Sequence, residues 1–489
     1  MNRRSLVLRS VVAILLLIGY YVLALGVAAF LLWTVYAQLA LGHVIVKLAL
    51  VCVVLAGIIL WSVIPRPDRF EPPGPELTEA AHPRLFALIR EISARTGQAM
   101  PSEVYLVPDV NAFVTQRGGF MGFFSRRVMG IGLPLLSLLS VAELSAVLAH
   151  EFGHFHGGDT KLGPWIYKTR GAIARTVVSL AQGGSTIVRK PFEWYGNFFL
   201  RITHSISRAQ EYAADALAAR VVGAAPLIRG LKTVHGGAAA YGAYLQQEFA
   251  PVVRAGFRPP LAEGFRTFVE GKRVKASLEK LVDTELAGAE HDPFDTHPPL
   301  AHRIEALAEF AEEAGETDDS PAIELLENPA AEEARLVRRD DDSQLEPLAW
   351  SKVATRVLLP NWQKTADRVV EVFGPLTLAE LSKQAATRKF AEKVLKQDLS
   401  EVEDAAPRIG ADLAASALCA TLADAGWTVK NRVGRPIAMK NGEAKLTPFE
   451  DFAALAAGKL ELGDLAERLA GANVAELVVH STKPATTKE

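Results

Sequence analysis

The sequence predicts a mainly α-helical membrane protein with a small β-sheet, and three observations carry this prediction. Two long apolar stretches lie near the N-terminus, at residues 11–35 and 44–64. Helical spacing of apolar residues dominates the middle of the chain, where two short runs of β-forming residues, 104–107 and 111–114, interrupt it. After residue 345 a helical region precedes a predicted β-hairpin, whose strands at 435–440 and 443–447 are joined by Asn441-Gly442. We therefore expect a transmembrane helical hairpin, a central α+β domain and a C-terminal α+β domain of unknown fold.

The two N-terminal apolar stretches are each long enough to cross a hydrocarbon core as a helix. A cleavable signal peptide is disfavoured, because the first stretch is too long for a signal h-region and a second stretch follows at once. The link between them, 38–43, has no Lys or Arg. The positive-inside rule therefore places both ends of the hairpin in the cytoplasm. The arginines that flank the hairpin are Arg3, Arg4, Arg9, Arg66 and Arg69.

The composition limits the kinds of site that the chain can build. Its 489 residues have a formal net charge of -2, which gives no indication of nucleic-acid binding. The two cysteines, Cys52 and Cys419, lie far apart in sequence, so neither a disulfide framework nor a C-x-x-C metal site is expected. This cysteine usage fits a reducing compartment. Any metal site must therefore consist of histidine and carboxylate side chains.

The most informative motif is H-E-x-x-H, formed by His150, Glu151 and His154. A capping box at Ser140 and Glu143 begins the helix that is predicted to carry it. Residues four apart lie on the same face of a helix, so the two imidazoles can bind a single metal ion with Glu151 beside them. The alternative is a buried helix whose histidines hydrogen-bond to nearby backbone.

A catalytic zinc site needs a third protein ligand and an open position for water. A histidine six residues after the motif is one known source, but this chain has Thr160 there. A glutamate on a later helix is another source, and residues 208–217 have the pattern of such a helix, with Glu211 and Asp215 on one face and Gly223 as its predicted end. Asp215 can then accept the second ring N–H of a ligand histidine. The alternative is a surface helix with an ion pair between Arg208 and Glu211.

Several separated motifs resemble those of one protein family. They are H-E-F-G-H at 150–154, R-A-Q-E-Y-A-A-D at 208–215, D-T-H-P-P-L at 295–300, and Arg303-Ile304. In this order they closely resemble the membrane-associated zinc metallopeptidases that include the HtpX-like quality-control proteases and the CAAX prenyl endopeptidases. The similarity covers residues 76–313. It implies a zincin-like α+β domain of the gluzincin type.

Carried over position by position, the resemblance implies one Zn²⁺ per chain, with His150, His154 and Glu211 as its ligands. It also implies that Glu151 is the catalytic base and that Asp215 supports a ligand histidine. Such a ligand set leaves the ion Lewis-acidic, so that Glu151 can take a proton from the water that attacks a peptide carbonyl. No covalent intermediate with the enzyme is expected.

Two further segments fit the resemblance. Asn111, Ala112 and Phe113 correspond to a sheet edge along which a peptide substrate lies, and backbone pairing at such an edge binds extended chains of many sequences. The alternative is an ordinary edge strand with Asn111 in a turn. His297 is a candidate for stabilising an oxyanion or for gating the cleft, and the alternative is a surface or packing histidine.

Composition divides the chain into six segments. They are a transmembrane hairpin (1–64), a proline-rich linker (65–75), the peptidase domain (76–313), an acidic linker (314–344), a C-terminal accessory domain (345–475) and a polar tail (476–489).

The stretch 171–206 is interrupted by charged and polar residues. We expect helices there that pack on the domain or lie in the membrane interface rather than cross the membrane, although HtpX-like relatives can have additional membrane segments in this region. The accessory domain has no chemical motif, so a regulatory, recruiting or oligomerising role and simple structural cover both stay open.

The sequence favours a membrane-anchored zinc-dependent endopeptidase that acts on membrane or membrane-proximal proteins, in quality control or processing. The partners implied are polypeptide substrates and the lipid bilayer, without nucleic acid, and no oligomeric state is predicted. The location implied is a bacterial inner membrane, with the catalytic domain in the cytoplasm. One alternative is a catalytically inactive zincin-fold scaffold or adaptor, which would have no need for a base at Glu151. Another is a metal-dependent hydrolase of a non-peptide bond.

Overall fold

The computed structural model describes residues 3–64, 70–118, 125–155, 163–288, 298–310, 317–337 and 345–481. These residues are mainly helical and include small sheets, as the sequence predicts. The helices are α1 Arg3–Ala40, α2 Val46–Val63, α3 Pro83–Arg95, α4 Leu133–Leu138, α5 Val141–Gly153, α6 Gly163–Gln182, α7 Thr186–Val222, α8 Ala224–Tyr244, α9 Ala250–Arg254, α10 Leu261–Val269, α11 Lys272–Ala287, α12 Leu300–Leu307, α13 Pro329–Leu336, α14 Trp350–Val353, α15 Leu359–Phe373, α16 Leu378–Gln384, α17 Arg388–Leu395, α18 Ala406–Asp424, α19 Pro448–Ala456 and α20 Leu462–Gly471. The strands are β1 Glu76–Leu77, β2 Glu103–Val107, β3 Ala112–Arg117, β4 Arg126–Gly132, β5 Phe257–Arg258, β6 Glu346–Pro347, β7 Thr428–Lys430, β8 Ala438–Asn441 and β9 Ala444–Leu446. Short 3-10 or π-helical segments lie at Leu245–Phe249, Ala308–Phe310, Ala322–Leu325, Ala354–Leu358 and Ser400–Val402.

The chain folds as two compact units. The first consists of Met1–Ala239 and Glu279–Leu336, and the second of Ala240–Leu278 and Val337–Glu489. The second unit therefore includes a stretch that composition assigned to the peptidase domain. The six segment boundaries given above stay predictions.

In the described part of the chain, two helices are long and apolar enough to cross a membrane, Ile14–Ala40 and Val46–Val63. A hydrogen bond closes the turn between them, since the Ile45 amide donates to Gln38 Oε1 at 2.9 Å. Their outer faces expose many large apolar side chains, including Phe30 and Trp61. Such surfaces are rare in water and fit a hydrocarbon core.

Helix α6 and the first half of α7 pack against this hairpin. Thr176 of α6 hydrogen-bonds to Tyr20 of α1 at 2.8 Å and also to Ser62 of α2. Phe192 and Phe199 of α7 are fully buried in the same cluster. Within the described residues, α6 and α7 are long enough to cross a membrane but are less apolar than the two helices of the hairpin. The stretch 171–206 thus packs against the hairpin.

Helix α7 continues without a break from this cluster into the stretch that carries Glu211. It is 37 residues long, which corresponds to about 55 Å at 1.5 Å per residue. The sequence pattern indicated a separate helix near residue 208, whereas the structure has one helix that begins at Thr186. Its end is where the sequence predicts it, because Gly223 follows the last turn with a φ of 109°.

The first unit contains a sheet with strand order β1-β2-β4-β3, so β3 lies at an edge. Two glycines of β4 shape this edge. A Cβ on Gly130 would lie 2.4 Å from the ring of Phe113, and a Cβ on Gly132 would lie 1.9 Å from the Asp109 carbonyl oxygen. The Gly132 amide donates to the Asn111 carbonyl at 2.8 Å. Glycine is therefore needed at both positions, because only then can the chain that leads into β3 lie this close to β4.

The described part of the predicted acidic linker packs on the start of α5. The Val141 amide donates to the Ser320 carbonyl and the Ala142 amide to the Asp318 carbonyl, each at 2.9 Å. The first amides of a helix have no partner within the helix, so this segment satisfies them. These residues of the predicted linker therefore stabilise the N-terminal end of α5.

The second unit has a helical core around α15 and α18 and a sheet of order β7-β8-β9. The predicted hairpin is present, but its turn is shifted by one residue. Asn441 pairs with Ala444, so the two loop residues are Gly442 and Glu443. Gly442 has a φ of 57°, and glycine is favoured at the first loop position when that residue needs a positive φ.

Candidate metal centre

The predicted capping box begins α5, the helix that carries the H-E-x-x-H motif. Ser140 Oγ accepts from the Glu143 amide at 3.3 Å, and the Ser140 amide donates to Glu143 Oε2 at 3.1 Å. The helix ends at Gly153, and His154 is its C-cap residue. The rings of His150 and His154 lie side by side, with centroids 4.8 Å apart. The motif therefore presents two imidazoles to one place, as its spacing predicts.

Glu211 of α7 lies against both imidazoles. Its Oε2 atom is 3.5 Å from His150 Nε2, and its Oε1 atom is 3.8 Å from His154 Nε2. The Glu211 side chain is buried, with only 6% of it exposed, whereas 31% of the His154 side chain is exposed. The structure thus brings together the three residues that the resemblance implies as metal ligands.

A close approach of α5 and α7 makes this convergence possible. A Cβ on Gly153 would lie 2.8 Å from the Cα and 2.9 Å from the Cβ of Ala214. Real side chains do not tolerate such distances, so Gly153 and the small Ala214 allow the two helix backbones to touch. This contact lies one residue before His154 and three residues after Glu211.

Asp215 binds the inner nitrogen of His150. The His150 Nδ1 atom lies 2.9 Å from Asp215 Oδ1, and the side chain of Asp215 is almost fully buried. A proton on Nδ1 that is donated to this carboxylate leaves Nε2 as the atom that faces Glu211 and the cavity. Asp215 therefore orients the ring and selects its tautomer.

Arg303 of α12 is a further member of the site to which the sequence analysis assigned no role. It donates to both oxygens of Asp215, through Nε at 2.8 Å and Nη2 at 2.7 Å. Its Nη1 atom is 3.5 Å from Glu211 Oε2. Two buried carboxylates on one helix face need a nearby positive charge, and Arg303 supplies it.

The charges around the two histidines shift their pKa values in opposite directions. Burial lowers the pKa of His154, and the neighbouring His150 lowers it further, to about 4. Burial also acts to lower the pKa of His150, but the carboxylates of Asp215 and Glu211 outweigh it and raise that pKa to about 9. In the metal-free protein near neutral pH, His154 is therefore neutral and His150 holds a proton.

Glu151 faces a cavity of about 490 Å³ that the two histidines and Glu211 also line. The predicted edge residues Asn111, Ala112 and Phe113 form another part of its lining. The structure therefore brings these residues to the same cavity as the H-E-x-x-H motif. His297 lies outside the described residues, so its candidate role stays a prediction.

The donor set of this site fits a zinc ion. Two imidazole nitrogens and a carboxylate are ligands that zinc prefers, and the ligand atoms of a tetrahedral zinc lie about 3.3 Å apart. The spacings of 3.5 and 3.8 Å between Glu211 oxygens and the two Nε2 atoms are near this value. Ligand atoms of His150, Glu151 and His154 also lie within 4.8 Å of one another. Because Glu151 lines the cavity and Glu211 is buried, Glu211 fits better as the metal ligand and Glu151 as the base.

Comparison with known proteins agrees with this geometry. Residues 79–311 match the model of the family described as Peptidase family M48. Just under half of the chain is therefore similar to M48 peptidases. This match includes His150, Glu151, His154, Glu211 and Arg303, and it confirms the resemblance that the separated motifs indicate.

Three proteins named "Protease HtpX homolog" are similar to about half of this chain. The protein of Pseudarthrobacter chlorophenolicus is 28% identical over 250 residues, which are 48% of this chain and 75% of that protein. Those of Acidiphilium cryptum and Desulfatibacillum aliphaticivorans are 27% and 26% identical, again over 48% of this chain and over 76% and 72% of their own lengths. No solved structure is significantly similar to the chain. Together, the match to M48 peptidases and the apolar N-terminal helices support a membrane-associated metalloprotease.

Proposed function

We propose that the protein is a membrane-anchored, zinc-dependent endopeptidase that cuts membrane or membrane-proximal proteins. The observation that carries this proposal is the convergence of His150, His154 and Glu211 at an open cavity, with Glu151 beside them. A role in protein quality control or processing is part of the proposal. It is supported by the similarity to proteins named HtpX homologues.

The metal would be one zinc ion per chain, held by His150 Nε2, His154 Nε2 and the carboxylate of Glu211. A bound zinc supplies a Lewis acid that polarises a peptide carbonyl and makes a neighbouring water more acidic. His154 is ready to bind, because its pKa near 4 leaves the ring neutral at neutral pH. His150 must first give up the proton on Nε2.

Glu151 performs the proton transfers of the proposed reaction. Its carboxylate takes a proton from the attacking water and then delivers that proton to the leaving amine. Asp215 holds the ring of His150 in place through Nδ1, and Arg303 balances the charge of Asp215 and Glu211. A pre-arranged set of this kind does not need to reorganise during the reaction.

The edge strand β3 is the proposed binding place for the substrate backbone. It lies at the edge of its sheet, and residues 111–113 line the cavity next to Glu151. An extended peptide can add to such an edge through main-chain hydrogen bonds, which select for an unfolded segment rather than for one sequence. His297 stays a candidate for stabilising charge near the cleft.

The proposed location is the cytoplasmic side of a bacterial inner membrane. The apolar hairpin of α1 and α2 would anchor the protein, and the arginines on both sides of the hairpin favour the cytoplasm for its ends. Helix α7 links the cluster around this hairpin to Glu211 directly. This link would favour substrates that lie in or near the membrane.

Cleavage of an unfolded reporter protein by the zinc-loaded full chain in detergent tests the proposal. We expect wild-type protein to cut and a chelator to stop it, while Glu151→Gln retains zinc and loses at least about 100-fold in rate. Glu305→Gln, at an exposed position of the helix that carries Arg303, is the matched control and should cut at the normal rate. Equal cutting by Glu151→Gln would show that the base is wrongly assigned. Absence of cutting by zinc-loaded wild-type protein would favour the scaffold alternative.

A further inference from the structure

Helix α8 contributes an apolar wall to the cavity of the metal centre. Leu227, Leu231 and Val234 are spaced by four and three residues, so they lie on one face of the helix. All three line the same cavity as Glu151 and the two histidines. Leu227 is fully buried, whereas Leu231 and Val234 are partly exposed toward the cavity. This wall has no assigned role in the proposed chemistry.

Close backbone packing fixes the wall against the rest of the first unit. A Cβ on Gly230 would lie 3.4 Å from both the Glu143 carbonyl oxygen and Val147 Cγ2, and a Cβ on Gly237 would lie 2.7 Å from Leu138 Cδ1. Arg229 adds an ion pair with Glu143 at 3.3 Å. The wall is thus held directly on α5, the helix that carries the motif.

The apolar surface continues up to the reacting groups. Val147 lines the cavity, and it lies three residues before His150 and four residues before Glu151, on the same face of α5. A peptide bond next to Glu151 would therefore place a neighbouring side chain against Val147 and the α8 wall. At the α8 side of the cavity, the ionisable lining residue is His235, which forms an ion pair with Glu285.

The size of the cavity suits a peptide segment. A volume of about 490 Å³ falls within the usual range for ligand pockets, about 300 to 1,000 Å³. Burial of a large apolar side chain against such a wall is favourable by about 25 cal/mol for each Å² removed from water. A charged side chain placed against Leu227, Leu231 and Val234 would lose its hydration to an apolar surface.

We propose that the α8 wall of Leu227, Leu231 and Val234 is the subsite for the substrate side chain next to the scissile bond. It selects large apolar residues such as Leu, Met and Phe. The preferred substrates are therefore apolar stretches of polypeptides, of the kind that unfolded or membrane proteins expose. This inference rests on the proposed peptidase function.

The test is to identify cleavage sites by mass spectrometry after digestion of a denatured protein mixture by the zinc-loaded full chain. For wild-type protein we expect large apolar residues to be enriched by about tenfold on one side of the cut. Leu231→Ala enlarges the subsite and should move the preference toward Phe and Trp. Leu231→Glu should move it toward Lys and Arg. Thr233→Glu adds the same charge two residues away, at a position outside the cavity lining, and should keep the wild-type preference.

The possible outcomes distinguish an error in the proposed subsite from an error in the proposed peptidase function. Preferences that move with the Leu231 variants and stay unchanged in Thr233→Glu support the subsite. Cleavage without a residue preference, or with one that both Leu231 variants retain, overturns the subsite but leaves the peptidase function intact. Failure of the zinc-loaded wild-type protein to cut anything overturns both.

Discussion

Arg303 binds both carboxylate oxygens of Asp215, at 2.8 and 2.7 Å. One of these oxygens, Oδ1, also accepts from His150 Nδ1 at 2.9 Å. Helices α5, α7 and α12 therefore meet in one chain of contacts behind the candidate metal ligands. A buried pair of this kind loses stability when one partner is removed, because the other charge is left without compensation.

Removal of the Arg303 charge should destabilise the metal-free protein more than the zinc-loaded protein. We expect Arg303→Ala to lower the free energy of unfolding by about 3 to 5 kcal/mol without metal. The loss should be smaller with zinc, since a bound dication supplies positive charge beside Glu211. Urea unfolding in detergent, with chelator and with zinc, measures both values. An equal loss in the two conditions would mean that Arg303 acts through packing alone.

Loss of the Asp215 charge should weaken zinc binding although Asp215 is not a proposed ligand. In Asp215→Asn the side chain keeps its shape but no longer holds His150 Nδ1–H with a charged acceptor. We expect a loss of zinc affinity of about 10-fold to 100-fold, measured by competition with a zinc-binding dye. Asp283→Asn, at an exposed position of α11, is the control and should bind zinc normally. Wild-type affinity in Asp215→Asn would remove Asp215 from the site.

The contact between Gly153 and Ala214 predicts that a single methyl group disturbs the site. Gly153→Ala places a Cβ 2.8 Å from Ala214 Cα, so α5 and α7 must separate. Activity should fall by at least about tenfold, because small displacements of reacting groups are costly. The control is Gly242→Ala in α8, where a Cβ would meet nothing within 4 Å. There the change should be neutral or slightly stabilising, and a neutral Gly153→Ala would contradict the tight contact.

Zinc binding should release a proton from His150. The pKa of this residue is raised to about 9 in the metal-free protein, so its proton is bound more tightly in the folded chain than in the unfolded chain. The protonated ring therefore stabilises the metal-free fold fully below about pH 6.5, and this contribution is lost as the pH rises through 9. Zinc must displace the proton below that pH. Calorimetry in buffers of different ionisation enthalpy should detect about one proton per zinc at pH 7.5, and release of none would contradict the assignment.

A half-buried carboxyl in the second unit, that of Glu248, gives a separate prediction. Burial raises the pKa of Glu248, and the hydrogen bond from the Gly434 amide at 3.1 Å offsets this only in part. A raised pKa in the folded state means that stability falls as the pH rises from the unfolded pKa through the folded one. Glu248→Gln should therefore slow hydrogen exchange of α9 and α10 at pH 7, while Glu263→Gln, which is exposed, should not. Faster exchange in Glu248→Gln would show that the charge is stabilising.

Local patterns predicted the parts of the site that depend on neighbours in sequence. The capping box at Ser140, the pairing of His150 with His154 and the end of α7 at Gly223 follow from helix geometry, and the structure has all three. The meeting of Glu211 with the histidines was implied by the family resemblance. The spacing of residues could not predict this contact, because it depends on the close approach of α5 and α7, which are separated in sequence.

Other features could not be predicted, because they depend on tertiary packing. The role of Arg303 requires that α12 lie beside α7, and no local pattern states this. The apolar face of α8 has the spacing of an ordinary core helix, so its position on the cavity appears only in the folded chain. The continuity of α7 through residues 186–222 was also missed. Its charged and polar residues look like a break in a span, whereas they belong to one continuous helix.

Zinc content per chain distinguishes the roles of the two carboxylates near the imidazoles. We assign Glu211 as the ligand and Glu151 as the base. Detergent-purified wild-type protein and Glu151→Gln should each hold one zinc per chain after removal of loosely bound metal, and Glu211→Gln should hold almost none. Retention of zinc by Glu211→Gln together with its loss from Glu151→Gln would contradict the account.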